Sequence, residues 1–274
     1  MIIDFLSSIL YLLFYVFKVL KPMHPILFKI GPLTIYTYGF FVFLGVLSGY
    51  LVCLKLAVKE DINKTVFSDI IFWTLIFSFL GARIFYIFVD SDEFLAHPFQ
   101  ILIGRSGFVF YGGVIFGLIS SYFLAKRNKI NFLQFCDIVG VGIPLAHAFG
   151  RIGCFSYGCC YGQPTTSWIG VLFPPDSPAG FLGAKVIPTQ LIEALFLFIL
   201  FFILKYLNTH KKFNGEIVSL YLVFYGIFRF CIEFFRGDPR GNIFFLSVSQ
   251  FVSIILVVVG IFLWVKQGKK IVRR

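Results

Sequence analysis

Phe67-Ser68-Asp69-Ile70-Ile71-Phe72-Trp73-Thr74-Leu75-Ile76-Phe77-Ser78-Phe79-Leu80-Gly81-Ala82-Arg83-Ile84-Phe85-Tyr86-Ile87-Phe88-Val89 decides the fold. Between Asp69 and Arg83 the run carries no charge. A hydrocarbon core about 30 Å thick is crossed by about 20 mostly apolar helical residues. Alternation of period two, which a β-barrel strand needs, is missing. Six further runs lie near 36–54, 108–125, 133–150, 189–206, 217–235 and 247–265. The whole chain of 274 residues agrees: 59% is hydrophobic, 14% is charged and Phe alone occurs 39 times. Its mean hydropathy is +0.91, whereas a soluble domain carries about 25% charged residues. A water-soluble enzyme, a disordered chain and a secreted disulfide scaffold are excluded. The sequence predicts an all-α integral membrane protein, a seven-span helical bundle with an extracytoplasmic loop region between spans four and five. Without internal repeats or a low-complexity linker, residues 23–274 read as one domain.

The net charge of +11 invites a nucleic-acid reading, but the positions of the cations point elsewhere. Lys55, Lys59 and Lys64 follow run one; Lys126, Arg127 and Lys129 follow run three. Lys205, Lys211 and Lys212 follow run five, and Lys266, Lys269, Lys270, Arg273 and Arg274 form the tail. The alternate loops hold only Arg105, Arg151, Lys185, Arg236 and Arg240. Because basic loops stay in the cytoplasm, the C-terminus is expected inside and the start of run one outside, on the periplasmic face. No nucleic-acid partner is expected. The excess is a topology signal with an attraction to anionic lipid.

Residues 1–22 fit this scheme poorly. Residues 5–20 are apolar but short, and Lys18 and Lys21 follow them. A span there would put both lysines outside, against the charge rule. An interfacial helix, an uncleaved signal-like anchor and an upstream start to the reading frame remain, with Met23 as the alternative start. A lipid-surface segment or the upstream start is favoured over an eighth span.

An ionisable residue at a helix centre costs at least about 2.5–3.5 kcal/mol on insertion scales. Arg83, His147, Glu193, Arg229 and Glu233 lie inside apolar runs, and Arg151 lies at the end of one. Asp69 and Asp137 lie near cytoplasmic ends, where they could cap helices. With the charge-derived orientation, all six former groups fall in the outer leaflet, as do Tyr38 and Tyr111 at the outer starts of runs one and three. The sequence thus assembles one polar site in the outer half of the membrane. Arginine dominates it, and its planar fork matches two phosphate oxygens. Glu233, four residues after Arg229, shares its helix face and can orient the guanidinium. The bland alternative is a set of salt bridges that ties helices together.

Gly150-Arg151-Ile152-Gly153-Cys154-Phe155-Ser156-Tyr157-Gly158-Cys159-Cys160-Tyr161-Gly162-Gln163-Pro164 is the densest motif. Its glycines would let backbone approach a ligand closely, and Gly112-Gly113 after Tyr111 reads the same way. Arg236-Gly237-Asp238-Pro239-Arg240-Gly241 forms a polar turn beyond run six. Cys154, Cys159 and Cys160 face an oxidising compartment, so a disulfide is open to them. A zinc site would want a fourth ligand, and His147 is the only nearby histidine. Packed thiols are favoured, and no metal is assigned. Cys53, Cys136 and Cys231 read as buried packing residues.

These segments resemble one family, the bacterial prolipoprotein diacylglyceryl transferases. The resemblance rests on His24-Pro25 through Tyr38-Gly39, Gly81-Ala82-Arg83, Tyr111-Gly112-Gly113, the run from Gly150 to Pro164, Pro188-Thr189-Gln190 with Glu193, and Arg229-Phe230 with Glu233-Phe234-Phe235-Arg236. It covers about residues 24–240. It implies a seven-span enzyme of the bacterial inner membrane that transfers the diacylglyceryl group of phosphatidylglycerol to the lipobox cysteine of a prolipoprotein signal peptide. A thioether forms, glycerol phosphate leaves, and no cofactor is implied. Arg151 and Arg229 occupy the positions of the family's essential arginines. With Tyr111 and Glu233 they are the expected catalytic set. Arg151, Arg229, Tyr38, Gly112, Gly113, Gly162, Glu193, Arg83 and Arg236 are expected to bind substrate.

The chain departs from the family pattern at Tyr111, where many members carry a histidine suggested as a base. A phenol with pKa about 10 is a poor base at neutral pH. His147 or no dedicated base are the alternatives. Cys154 and Cys159 stand where other members carry Asn and Glu, although the Gly-Cys-Cys form is a familiar subgroup. The competing function is a lipid or anion translocator. Such proteins usually show internal repeats and a midplane site.

Overall fold

The structure is a computed structural model that describes residues 25–31, 33–90, 94, 107–238, 241–243 and 245–272. The readings of segment 1–22, His24, Arg105 and Arg240 lie outside the described residues. Each of the seven apolar runs holds one long helix. These are α1 (Thr37–Lys59), α2 (Lys64–Val89), α3 (Phe110–Arg127), α4 (Phe132–Tyr157), α5 (Thr189–Asn208), α6 (Glu216–Glu233) and α7 (Val248–Val272). Two short antiparallel pairs accompany them, β1 (Ile26–Ile30) with β2 (Leu33–Tyr36) and β3 (Asn242–Ile243) with β4 (Leu246–Ser247). The first hairpin, just ahead of α1, has no counterpart in the helical reading of the sequence.

By length and composition α1, α2, α4, α5 and the Val248–Lys269 part of α7 can cross a membrane. The other two helices have 18 residues each, about 27 Å at 1.5 Å per residue. Their lower apolarity has a local cause: α3 carries three glycines and two serines, and α6 carries Glu216, Arg229 and Glu233. Large apolar side chains such as Phe72, Trp73, Phe79, Phe88, Phe202, Val258 and Phe262 stand exposed on the helices. Soluble surfaces rarely present such continuous apolar faces, whereas lipid receives them.

Asparagine rather than aspartate caps α2 and α4. Asn63 Oδ1 accepts the N–H groups of Thr65 and Val66 at the start of α2. Asn131 Oδ1 does the same for Leu133 and Gln134 at the start of α4. Asp69 and Asp137 lie further in, Asp137 fully buried, so neither fills the capping position read from the sequence. At the start of α7, Ser247 Oγ accepts from Gln250 N and Gln250 Oε1 accepts from Ser247 N. This is a reciprocal capping box.

The chain divides into two compact units, one of Met1–Leu51 with Gly140–Arg274 and one of Val52–Val139. In the second unit α2 packs on α3 through glycines. A Cβ on Gly112 would lie 2.5 Å from the Gly81 carbonyl oxygen and from Phe85 Cβ, and one on Gly113 would lie 3.2 Å from the Ser78 oxygen. Gly112 and Gly113 therefore have a helix-packing reason, the close approach that small residues permit in membranes. Gly81→Leu should lower stability by about 1–3 kcal/mol through overpacking, read as a lower thermal midpoint in detergent. Gly39→Ala, where an added Cβ meets nothing within 4 Å, should leave the midpoint unchanged.

In the first unit, Gly45 and Gly49 of α1 face Ala146 and Gly142 of α4, two small-xxx-small patterns meeting each other. Gly226 and Gly260 bring α6 against α7 in the same way. The segment 158–188 between α4 and α5 is irregular but anchored. Gly162 bridges to Arg236, and Pro164 and Val171 bridge to Val186. Phe155, Tyr161, Phe173, Ala179, Val186 and Leu191 form a small core beneath it.

Candidate active site

The first unit brings the charged residues together. Arg151 in the last turns of α4 and Glu193 in the first turns of α5 form an ion pair of 3.0 Å, with the Glu193 side chain fully buried. Arg151 Nε also donates to His147 Nε2 at 3.2 Å, one helical turn earlier. His147 Nε2 lies 3.7 Å from Glu193 Oε1. The lone pair of that ring nitrogen thus faces a guanidinium. Tyr225 of α6 lies edge-on against the His147 ring, 5.4 Å between centroids, and is stacked on Tyr221.

On α6 the expected (i, i+4) pair is present: Arg229 Nη2 lies 2.8 Å from Glu233 Oε2, both side chains nearly buried. The same nitrogen donates to Ser249 Oγ at 2.9 Å. Ser247 Oγ, positioned by the capping box of α7, donates to Glu233 Oε1 at 2.8 Å. Beyond α6, Arg236 donates through Nε and Nη2 to both oxygens of Asp238, at 2.8 and 2.9 Å. Burial pushes the Arg236 guanidinium toward neutrality, but the Asp238 carboxylate outweighs it and holds the group firmly as a cation. Glu193 lies within electrostatic reach of Arg151, His147, Arg229 and Arg236 together. Three arginines therefore converge on one buried carboxylate.

Two of those arginines are incompletely used. Arg229 Nη1 and Arg236 Nη1 are buried and meet no oxygen acceptor in hydrogen-bond geometry among the described residues, although the Arg236 guanidinium lies beside the weakly accepting Cys160 thiol. Buried donors are almost always paired, so guanidinium N–H groups without an oxygen acceptor point to an anionic ligand. A cleft of about 280 Å³ opens beside Arg236. Glu233, Arg236, Asp238, Ser247 and Gln250 line it, with Phe234 and Phe245 as its apolar part.

The remaining candidates divide by location. Tyr38, half exposed at the start of α1, lies within electrostatic reach of Arg151 and of the three neighbouring thiols. Gly162 is buried, and an added Cβ would meet the Ile187 and Phe235 carbonyl oxygens at 2.7 and 2.8 Å. It lets two backbone segments close on each other. Arg83, Tyr111, Gly112 and Gly113 belong to the second unit. There Arg83 Nη1 donates to the Gly107 carbonyl at 3.0 Å and the guanidinium covers the Phe108 ring at 4.7 Å. Tyr111 stands partly exposed beside Phe110.

The sequence reading did not single out Tyr225, Ser247 or Ser249. Ser247 and Gln250 have capping-box spacing, and Tyr225 precedes Arg229 by one turn. Those were the available signals. None of the six cysteines, all among the described residues, is joined in a disulfide. Cys53 is buried as expected, but Cys231 is exposed, which corrects its reading as a buried packing residue. On an apolar helix facing lipid, an outward thiol needs no protein partner.

The chain is similar to known proteins of one family. The family model described as prolipoprotein diacylglyceryl transferase matches residues 25–266. A phosphatidylglycerol–prolipoprotein diacylglyceryl transferase of Clostridium tetani is 38% identical over 242 residues, 88% of this chain and 97% of its own. The second such transferase of Clostridium perfringens is 40% identical over 244 residues, 88% of this chain and 94% of its own. That of Finegoldia magna is 36% identical over 253 residues, covering 92% and 98%. With the matched region reaching into all seven helices and covering the arginine cluster, the chain belongs to the prolipoprotein diacylglyceryl transferase family.

Proposed function

We propose that this chain transfers the diacylglyceryl group of phosphatidylglycerol to the thiol of a prolipoprotein lipobox cysteine, with the arginine cluster as its active site. The observation that carries the residue assignment is the pair of buried donors Arg229 Nη1 and Arg236 Nη1, which meet no oxygen acceptor among the described residues. A phosphodiester supplies the oxygens they lack. The reaction is substitution at carbon. The thiolate attacks the glyceryl carbon next to the phosphate, a C–S bond forms, and the C–O electron pair leaves with glycerol phosphate. A phosphodiester thereby becomes a phosphomonoester and gains negative charge. Fixed cations in a site of low dielectric stabilise that charge more than the ground state. Arg151 and Arg229 take this role, with Arg236 as a further phosphate ligand. Glu193 and Glu233 are positioning residues that hold the two guanidinium groups, since a carboxylate would repel phosphate. Tyr38 borders the thiol side. Arg83 and Gly112-Gly113 shape the second unit, and Tyr111 is available there to the lipid or peptide.

The charge asymmetry supports a bacterial inner-membrane setting with seven spans, the start of α1 periplasmic, the C-terminus cytoplasmic and the site toward the outer leaflet. Segment 158–188 would then be the extracytoplasmic loop region. The test is complementation of a strain depleted of this activity, followed by mass analysis of a model lipoprotein. A cysteine carrying the diacylglyceryl mass is the expected result. An unmodified cysteine would overturn the transferase reading and favour translocation.

A further inference from the structure

Three sulfur atoms converge where α4 gives way to the irregular segment. The Sγ atoms of Cys154, Cys159 and Cys160 all lie within 4.8 Å of one another. The loop that carries them is held by the start of α5. Gln190 Nε2 donates to the Cys159 carbonyl at 2.7 Å and Thr189 Oγ1 to the Cys160 carbonyl at 2.9 Å. Cys160 has φ +61°, a left-handed conformation that a non-glycine residue keeps only when its surroundings impose it. Such strain clusters at functional sites.

The spacing suits a thiophilic cation. Zn–S bonds of about 2.3 Å place tetrahedral sulfurs about 3.8 Å apart, so the widest pair needs to close by only about 1 Å. Thiolates select Zn²⁺ or Cu(I) over Mg²⁺ and Ca²⁺. Three thiolates around Zn²⁺ leave one net negative charge. The Arg236 guanidinium within hydrogen-bond reach of the Cys160 thiol and the nearby Arg151 offset it. Catalytic zinc sites keep three protein ligands and leave the fourth position to water or substrate. His147, the ligand that sequence spacing offered, has its Nε2 lone pair engaged by Arg151. The reaction itself brings a fourth thiol.

We propose that Cys154, Cys159 and Cys160 bind one Zn²⁺ whose fourth position takes the thiol of the incoming prolipoprotein cysteine. This rests on the transferase reading above. On binding, the substrate S–H loses its proton to solvent. A sulfur lone pair of the bound thiolate then forms the C–S bond as the C–O pair departs with glycerol phosphate. The neutral thioether product is a weaker ligand and leaves the metal. Zinc stays in the same oxidation state throughout, and the protein needs no strong base, which accommodates Tyr111 in place of histidine.

The test uses the full chain in detergent, purified under reductant, incubated with ZnCl₂ and desalted. About one zinc per chain is expected. Cys159→Ser should weaken Zn²⁺ affinity, read by competition with a chromogenic chelator, by more than the roughly 10–100-fold that loss of an outer partner costs. Cys231→Ser should leave it unchanged. With Co²⁺ instead, sulfur-to-cobalt bands should appear and shift when a lipobox peptide is added, but not with its Cys→Ser counterpart. Metal lost on desalting while the three thiols titrate as free, cobalt bands indifferent to the peptide thiol, or a disulfide within the cluster in the isolated protein would overturn the proposal. Full-rate transfer by metal-free protein would overturn it and leave the transferase reading standing. Metal-loaded protein that never lipidates the peptide would instead overturn the transferase reading.

Discussion

Arg151→Ala should abolish diacylglyceryl transfer, by about 1,000-fold or more, in a protein that still reaches the membrane. Removing a single neutral donor from a site of developing negative charge costs about 10²–10³ in rate, and a cation aimed at a departing phosphate is worth about 10³–10⁵. Arg151 is held for that task from two sides, by Glu193 at 3.0 Å and by His147 at 3.2 Å. The substitution has a second effect that must be separated from the first. It leaves Glu193, fully buried, without its nearest cation, and breaking a buried pair costs about 3–5 kcal/mol. Lower protein levels are therefore expected for Arg151→Ala alone. The double variant Arg151→Gln with Glu193→Gln removes the orphaned charge and should recover stability without recovering activity. The measurement is label transfer from phosphatidylglycerol to a lipobox peptide, normalised to membrane-inserted protein. Near-normal transfer by either variant would remove Arg151 from the reaction.

The sequence showed the arginine–carboxylate pairs more clearly than the backbone that holds them. An ionisable residue in an apolar run is expensive, so Arg229 and Glu233 stood out, and their (i, i+4) spacing placed them on one face, as the 2.8 Å contact bears out. The pairing of Arg151 with Glu193 joins α4 to α5 across 42 positions of chain, and no local pattern could announce it. The same limit applied to the glycines. Gly112 and Gly162 read as openings for a ligand, and each makes room for another stretch of backbone. A missing side chain records close approach and not the identity of what approaches. Asp137 shows the converse. Its type and its place near a helix end fit a cap, yet Asn131, six residues earlier, takes that position. Helix starts are settled by the first unpaired N–H groups, and hydropathy locates those only to within a turn.

Arg229→Lys should reduce turnover by about 100-fold while leaving the fold intact, and so separates charge from shape. One nitrogen of Arg229, Nη2, serves both Glu233 and Ser249. The other, Nη1, is buried and has no acceptor among the described residues. A lysine keeps the pairing with Glu233, so the buried carboxylate is not orphaned and the cost of a broken pair is avoided. It cannot hold that carboxylate and also present a second, rigidly directed donor to a phosphate oxygen, because an ammonium group is a point charge without the planar fork. Loss of one directed donor in a dry site corresponds to about 10²–10³ in rate. If Nη1 acts on the departing phosphate, the loss falls on kcat, since the interaction strengthens as charge develops. If it only docks the lipid headgroup, KM rises and kcat is kept. Turnover measured against phosphatidylglycerol concentration in mixed micelles distinguishes the two, and an unimpaired Arg229→Lys enzyme would show that a cation at this position suffices without the fork.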